Sequence, residues 1–223
     1  MRFEITVPDP SRLRAEKAAF ATIPAGTELH RIHPARFGAA AFNDTDRGNA
    51  RFSPIRNARG AIIPTIYAAE SFDCAAAEII LRSPDVPATD PATGRPPLTI
   101  VFPSDYAGHA HSTLATAAEL TLADLTVAGQ RALGVEHNAL IAGPTASYPA
   151  VRAWAEAIHA ALPRAQGLFY HSHQLGPAFA LVLFGDRAAG ALAPGQSRSV
   201  ASPGCHRGIV DLADRLGIEY IEL

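Results

Sequence analysis

Two arginines, Arg31 and Arg51, lie in or beside segments of strand-like sequence. A guanidinium presents a planar fork of N–H donors that matches the oxygens of a carboxylate or a phosphate. The two residues therefore fit two different structures. They either face a cleft that binds an anion such as a pyrophosphate, or they lie on a solvent face and form weak ion pairs with Asp44 or Asp46. Residue types and spacing do not choose between these structures.

Glu78 is the only charged residue in the apolar helical run 75–81. A carboxylate in such a run lies either at the edge of the helix or inside the protein beside a partner. If Glu78 is buried, an arginine partner would keep it ionised, because desolvation alone favours the neutral acid. Tyr67 ends the preceding strand-like segment, and Ser172 follows a later one. Tyr67 could pack in the core or bind a ligand, and Ser172 could stabilise a turn or bind a ligand. The sequence pattern fits both roles of each residue equally well.

Two His-x-His pairs, at 109/111 and 171/173, are the only candidates for metal ligands. In a strand, residues two apart share a face, so each pair could supply two imidazoles to one ion. No third ligand lies at a suitable spacing, and the sequence therefore predicts no metal site. Cys74 and Cys205 are far apart, and we expect two free thiols in a reducing compartment.

The composition is that of an ordered globular protein. Of its 223 residues, 48% are hydrophobic and 18% are charged, and the net charge is -2. We expect one domain spanning residues 1–223. The slightly acidic balance argues against a broad nucleic-acid-binding surface. The sequence shows no apolar leader and no membrane-length apolar run, so we expect a cytoplasmic protein without membrane contact.

Strand-like and helical segments alternate irregularly along the chain, which predicts an α+β fold. We expect a lead-in over 1–27 with a short helix at 11–20, and an exposed proline-rich loop over 83–97. The predicted strands are 29–33, 62–68, 98–102, 167–170, 178–184 and 218–221, with 120–127 strand-like or mixed. The predicted helices are 72–82 with Ser71 as its N-cap, 148–162 and 204–216.

Five short motifs occur in an order typical of one protein family. They are LHRI at 29–32, ARFSP at 50–54, TIYAAES at 65–71, AAAE at 75–78 and GLFYHS at 167–172. Over residues 28–190 the chain resembles the RES-domain toxins of bacterial type II toxin–antitoxin systems. The family is named for an arginine, a glutamate and a serine, which correspond here to Arg31, Glu78 and Ser172. The chain departs from some members at Ile32, where they carry an aromatic residue.

The resemblance implies a compact domain like the ADP-ribosyltransferases, with a split, mostly antiparallel sheet and flanking helices around an NAD cleft. It implies that NAD is a substrate, not a resident cofactor, and that the bond between nicotinamide and ribose is cleaved. Inorganic phosphate or a protein would accept the ADP-ribose. The implied partner is an antitoxin with an Xre-like helix-turn-helix region and a C-terminal end that inserts into the cleft, and the toxin itself would not contact nucleic acid.

The resemblance also assigns roles to single residues. Glu78 would stabilise the positive charge that develops on the ribose, as carboxylates do in other glycosyl transfers. Arg31 and Arg51 would bind the pyrophosphate, with Ser53 beside them in the NAD site. Tyr67 would support the nicotinamide ring. Ser172 would hydrogen-bond the nicotinamide amide, a ribose hydroxyl or an attacking phosphate.

Three functions are consistent with this sequence. The first is NAD phosphorolysis by a toxin, the second is protein ADP-ribosylation with NAD as donor, and the third is a non-catalytic domain that binds NAD or a partner. We favour the first, and product identity separates it from the second. NAD binding without nicotinamide release would indicate the third.

Overall fold

The computed structural model of the chain describes residues 6–82, 92, 94 and 99–221. Its strands, in chain order, are β1 (Phe20–Ile23), β2 (Glu28–Pro34), β3 (Ile55–Arg56), β4 (Ile62–Ile63), β5 (Thr65–Ala69), β6 (Ile100–Val101), β7 (His109–Thr116), β8 (Leu120–Asp124), β9 (Gly167–His171), β10 (Phe179–Phe184), β11 (Leu192–Ser199) and β12 (Glu219–Tyr220). Eight of them form one sheet in the order β1-β8-β9-β10-β5-β2-β7-β11. Within this sheet only β8 and β9 pair in parallel, so the sheet is mostly antiparallel, as predicted.

Six α-helices lie within the described part of the chain. They are α1 (Phe72–Ile79), α2 (Val127–Leu133), α3 (Ala139–Ala142), α4 (Tyr148–Ala161), α5 (Gly185–Ala188) and α6 (Pro203–Arg215). The Ser71 hydroxyl caps α1 by accepting a hydrogen bond from the Cys74 N–H at 3.2 Å, as predicted. The helix ends at Ile79, three residues earlier than expected, so Arg82 lies beyond it.

The sheet is split between β2 and β5. These two strands are paired at a single position, His30 with Ala69, whereas β2 pairs with β7 along its whole length. Residues 31–34 of β2 and 65–68 of β5 therefore do not pair with each other. The sheet consists of a five-stranded half that ends in β5 and a three-stranded half that begins with β2. This gap confirms the split sheet that the resemblance implied.

Hydrophobic side chains cover both faces of the sheet. Val182 of β10 belongs to the larger apolar cluster, which also contains Trp154 of α4, while Leu181 and Leu183 belong to the smaller one. A strand buried on both faces needs apolar residues at every position, not only at alternate ones. This explains why segment 179–184 reads as an unbroken apolar run.

Several expectations for the elements need correction. The predicted helix at 11–20 is wrong: two short 3-10 turns, Pro10–Arg12 and Ala15–Lys17, lead into β1. The predicted strand 62–68 is divided into β4 and β5 at Pro64. The proline-rich loop over 83–97 lies almost wholly outside the described residues, so the prediction for it stays untested.

Strands β7 and β11 were not predicted. The buried positions of β7 are Ala110, Ser112, Leu114 and Thr116, so only one large apolar side chain marks its inner face. Strand β11 lies at the edge of the sheet and is exposed from its second residue onward. No described helix is long and apolar enough to cross a membrane. Cys74 and Cys205 are buried free thiols, as expected.

Candidate active site

A cavity of about 260 Å³ occupies the gap between the two halves of the sheet. Residues 30–34 of β2 line one wall, and 65–69 of β5 line the other. Because the strands separate here, side chains from both apolar clusters reach the same space. Ile66 and Ala68 belong to the smaller cluster, and Ala69 and Ala75 to the larger one. Residues from both faces of the sheet can therefore contact one ligand.

The cavity wall is strongly basic although the chain as a whole carries a net charge of -2. Four arginines line it, Arg31, Arg47, Arg51 and Arg82, and Glu78 is the only carboxylate among the lining residues. No described carboxylate lies within 4 Å of the charged nitrogens of Arg31, Arg51 or Arg82. An excess of unpaired guanidinium groups in a concave site favours an anionic ligand.

Glu78 reaches the cavity from α1 and is held by residues that follow β9. The Ser172 hydroxyl donates to its Oε1 at 2.5 Å, and the backbone N–H of His173 donates to the same oxygen at 3.1 Å. Both bonds end on Oε1, so Oε2 has no hydrogen-bond partner among the described residues.

Ser172 is buried behind Glu78 and is not among the residues that line the cavity. Its Oγ accepts hydrogen bonds from the backbone N–H groups of Gln174 at 3.1 Å and Leu175 at 2.9 Å. Because the hydroxyl also donates to Glu78, its one donor and two acceptor positions are all occupied by groups of the protein. Ser172 therefore holds Glu78 in position, and its direct contact with a ligand stays a prediction.

Arg31 is fixed by the loop that follows β2. Its Nη1 donates to the carbonyl oxygens of Ala39 at 2.8 Å, Ala41 at 3.0 Å and Gly38 at 3.4 Å. Burial lowers the pKa of the guanidinium to about 10, so it is still charged at neutral pH. The alternative of a surface arginine paired with Asp44 or Asp46 is wrong for this residue.

Arg51 is anchored on the opposite side of the cavity. Its Nη1 donates to the carbonyl oxygen of Gly143 at 3.1 Å, and its guanidinium lies 4.9 Å from the centre of the Tyr148 ring. Burial lowers the pKa of Arg51, and the nearby Arg82 lowers it further, whereas Glu78 and neighbouring tyrosines raise it. Arg51 is thus close to Glu78, and the surface-pair alternative is wrong for it as well.

Tyr67 and Ser53 also line the cavity. The Tyr67 hydroxyl accepts a hydrogen bond from the Phe52 N–H at 2.8 Å, which fixes the ring in the wall. Burial raises the pKa of Tyr67 above its usual range, so the phenol stays neutral. The Ser53 and Thr65 hydroxyls are 2.7 Å apart and bond each other. The structure therefore brings Arg31, Arg51, Ser53, Tyr67 and Glu78 to one cavity, with Ser172 directly behind it.

The residues that form this cavity lie within a segment that matches a known protein family. The sequence model described as the RES domain matches residues 28–202, which is most of the chain. The chain belongs to the RES domain family. The match extends past residue 190 and includes β11, which the motifs alone did not reach.

A solved structure has the same fold as this RES domain. It is a chain in the crystal structure of the M. tuberculosis MbcT-MbcA toxin-antitoxin complex, with a TM-score of 0.60 and 18% sequence identity. The match covers 92% of the chain described here and 98% of the chain in that complex. A search of curated proteins gave no significant match.

Four further residues of the RES domain site, Arg47, Arg82, Tyr148 and Tyr170, were not predicted. Arg82 and Tyr148 were interpreted only as the end of one helix and the start of another. The available signal was spacing, because Arg82 follows Glu78 by four residues, about one helical turn. Tyr148 and Tyr170 are buried and give no sequence signal beyond that of core aromatics.

Two histidines of β2, His30 and His33, line the RES domain cavity and contact residues of β7. His30 and His111 stack with ring centroids 5.3 Å apart, and their Nδ1 and Nε2 atoms are 3.0 Å apart. His33 is buried, and its Nε2 lies 2.8 Å from the Ser112 hydroxyl. In the described part of the chain, no group of three or more His, Cys, Asp or Glu side chains is arranged to hold a metal ion.

The stability of the RES domain is expected to fall as the pH drops from 7 towards 4. Burial, together with the neighbouring His30, Arg198 and His33, lowers the pKa of His111 to about 4. The unfolded chain has a histidine pKa of about 6.5 and takes up the proton first, so stability is lost between about pH 6.5 and 4. Allowing for solvent screening, we expect a loss of about 1 kcal/mol at pH 5, or about 2–4 °C in Tm.

Thermal unfolding of wild type and His111→Gln between pH 4.5 and 7.5 checks this prediction. The His111→Gln variant should show a shallower decline of Tm with falling pH. The exposed His171→Gln variant is the control and should keep the wild-type slope. Identical slopes for all three proteins would contradict the assignment.

Proposed function

We propose that this RES domain cleaves the nicotinamide–ribose bond of NAD and transfers the ADP-ribose to inorganic phosphate. One observation carries the proposal. A single carboxylate, Glu78, is held with one free oxygen in a cavity that contains four arginines and the Tyr67 ring. A dinucleotide has the complementary features, which are an anionic pyrophosphate, a flat cationic ring and an anomeric carbon that gains positive charge during cleavage.

The chemistry follows from these features. When the bond between C1″ and the ring nitrogen breaks, its electron pair neutralises the pyridinium and neutral nicotinamide leaves. Positive charge develops on the ribose, and the fixed carboxylate of Glu78 stabilises it more in the transition state than in the ground state. Arg31 and Arg51 bind the pyrophosphate, and the neutral ring of Tyr67 offers a face to the nicotinamide.

The proposed biological role is that of a toxin controlled by an antitoxin. The support is family membership together with the related structure, which is that of a toxin-antitoxin complex. The proposed partner is an Xre-like helix-turn-helix protein whose C-terminal end occupies the cavity. Expression of the chain alone should arrest growth, and co-expression with the antitoxin should restore it.

Incubation of the purified, antitoxin-free chain with NAD tests the proposed reaction. Mass analysis should detect free nicotinamide and, only when phosphate is present, ADP-ribose 1″-phosphate. ADP-ribose attached to a protein would instead identify a protein ADP-ribosyltransferase. Tight NAD binding without release of nicotinamide would contradict both reactions and indicate a non-catalytic domain.

A Ser172→Ala variant is expected to lower kcat by about 10-fold while the KM for NAD changes little, because only the hydrogen bond that orients the Glu78 carboxylate is lost. Ser172→Thr keeps the hydroxyl and should recover part of the activity. Steady-state kinetics with measurement of Tm separates this effect from instability. A rise in the KM for NAD without a fall in kcat would show that Ser172 binds the substrate directly.

A further inference from the structure

Two arginines of the cavity lie against one aromatic ring. The Arg51 and Arg82 guanidinium groups are 4.9 and 5.4 Å from the centre of the Tyr148 ring. Arg82 also donates a hydrogen bond to the Tyr148 hydroxyl. Neither guanidinium has a carboxylate partner among the described residues. Two like charges on one ring repel each other, and an anion bound to either of them reduces that cost.

Tyr148 supplies a second, independent indication of a ligand. Its side chain is 1% exposed and lines the cavity. Its hydroxyl oxygen accepts from Arg82, but no described group accepts the hydroxyl proton. A buried O–H donor is costly unless it finds an acceptor. An oxygen of an anion bound to Arg82 can accept the Tyr148 hydroxyl proton.

We propose that Arg82 and Tyr148 form the binding site of the acceptor phosphate, separate from the site of the NAD pyrophosphate. This inference rests on the proposed function for its catalytic meaning. Arg31 and Arg51 are held by backbone carbonyl groups inside the cavity and match the two phosphates of the dinucleotide. Arg82 is exposed and lines the same cavity as Glu78, so it can receive a small anion from solvent.

The proposed step balances as a displacement at the anomeric carbon. A lone pair of a phosphate oxygen forms the new bond to C1″, and the bond from C1″ to the nicotinamide nitrogen breaks. Its electron pair goes to the ring, so the products are neutral nicotinamide and ADP-ribose 1″-phosphate. Arg82 and the Tyr148 hydroxyl hold the phosphate, and Glu78 stabilises the ribose between the two groups.

Phosphate-dependent kinetics of Arg82→Met and Tyr148→Phe test the site. For Arg82→Met we expect the KM for phosphate to rise about 10- to 100-fold, while the KM for NAD stays within about threefold. For Tyr148→Phe, which keeps the ring, we expect a rise of about 3- to 10-fold. In both variants the ratio of ADP-ribose 1″-phosphate to free ADP-ribose should fall. Arg59→Met is the matched control, because Arg59 is exposed and outside the cavity, and it should behave as wild type.

A binding measurement separates this proposal from the proposed function. Inorganic phosphate alone should raise the Tm of wild type and Arg59→Met, and this shift should be lost in Arg82→Met whether or not NAD is cleaved. A phosphate-induced shift that persists in both Arg82→Met and Tyr148→Phe would overturn the site. A matching rise in the KM for NAD would also overturn it, by assigning Arg82 to the pyrophosphate. Nicotinamide release by wild type at the same rate without phosphate would refute phosphate as the acceptor and leave NAD cleavage intact.

Discussion

Replacing Glu78 by glutamine is expected to slow nicotinamide release by about 10²- to 10³-fold, the largest effect of any substitution in this RES domain. The amide keeps the size of the side chain and can still accept from Ser172 and the His173 N–H. It removes the negative charge that faces the developing positive charge on the ribose. NAD binding should change by less than about threefold, because the charge matters mainly in the transition state.

Single-turnover nicotinamide release measures the expected loss of rate, and equilibrium NAD binding measures the expected change in affinity. Glu119→Gln is a matched control, because it makes the same chemical change at an exposed position outside the cavity. Wild-type turnover in a folded Glu78→Gln protein would remove this residue from the mechanism. A large loss of NAD affinity with unchanged turnover would assign it to binding alone.

Replacing Arg51 by methionine is expected to weaken NAD binding by about 10- to 100-fold, the second-largest effect. The guanidinium is preorganised by Gly143 and the Tyr148 ring, so little side-chain entropy is lost when it binds a phosphate oxygen. Methionine retains most of the apolar stem but provides neither charge nor N–H donors. The effect should appear mainly in the KM for NAD, since the pyrophosphate does not change during the reaction.

Isothermal titration with NAD and steady-state kinetics check this expectation. Arg131→Met on α2 is the control, because Arg131 is exposed, pairs only with Glu136 and lies outside the cavity. Arg51→Lys should recover only part of the affinity, because an ammonium keeps the charge but not the planar fork. If Arg51→Met bound NAD as well as Arg131→Met, the pyrophosphate would have to lie elsewhere in the cavity.

The parts of the fold that sequence could predict are those with strong periodicity or caps. Helix α4 has a regular apolar face at Val151, Trp154, Ala155 and Ile158, and α6 ends before Gly217, which adopts a positive φ of 66°. The longest strand pairings were not predictable in the same way. Strand β7 buries small and polar residues, and β11 contains Pro194 and Gly195, so neither shows the apolar alternation of a half-buried strand.

The candidate site was predictable only through ordered motifs. Arg31, Arg51, Tyr67 and Glu78 are separated by up to 47 positions, and no periodic rule places them together. The family order identified them, and the gap between β2 and β5 explains why they meet. Arg82 was not identified because its contact with Tyr148 joins residues 66 positions apart. The hydrogen bonds of Ser172 to Glu78, Gln174 and Leu175 were not predictable either, because sequence does not show which hydroxyl groups are bonded inside the protein.

A single residue pair joins β2 to β5, so the junction between the two halves of the sheet has few backbone hydrogen bonds. Arg31 lies in β2 on one side of this junction, and Tyr67 lies in β5 on the other side. A molecule that contacts both sides of this junction holds them together, and its binding increases the free energy of unfolding of the domain. Binding of a dinucleotide or of an inserted peptide in the cavity between β2 and β5 should therefore raise the melting temperature.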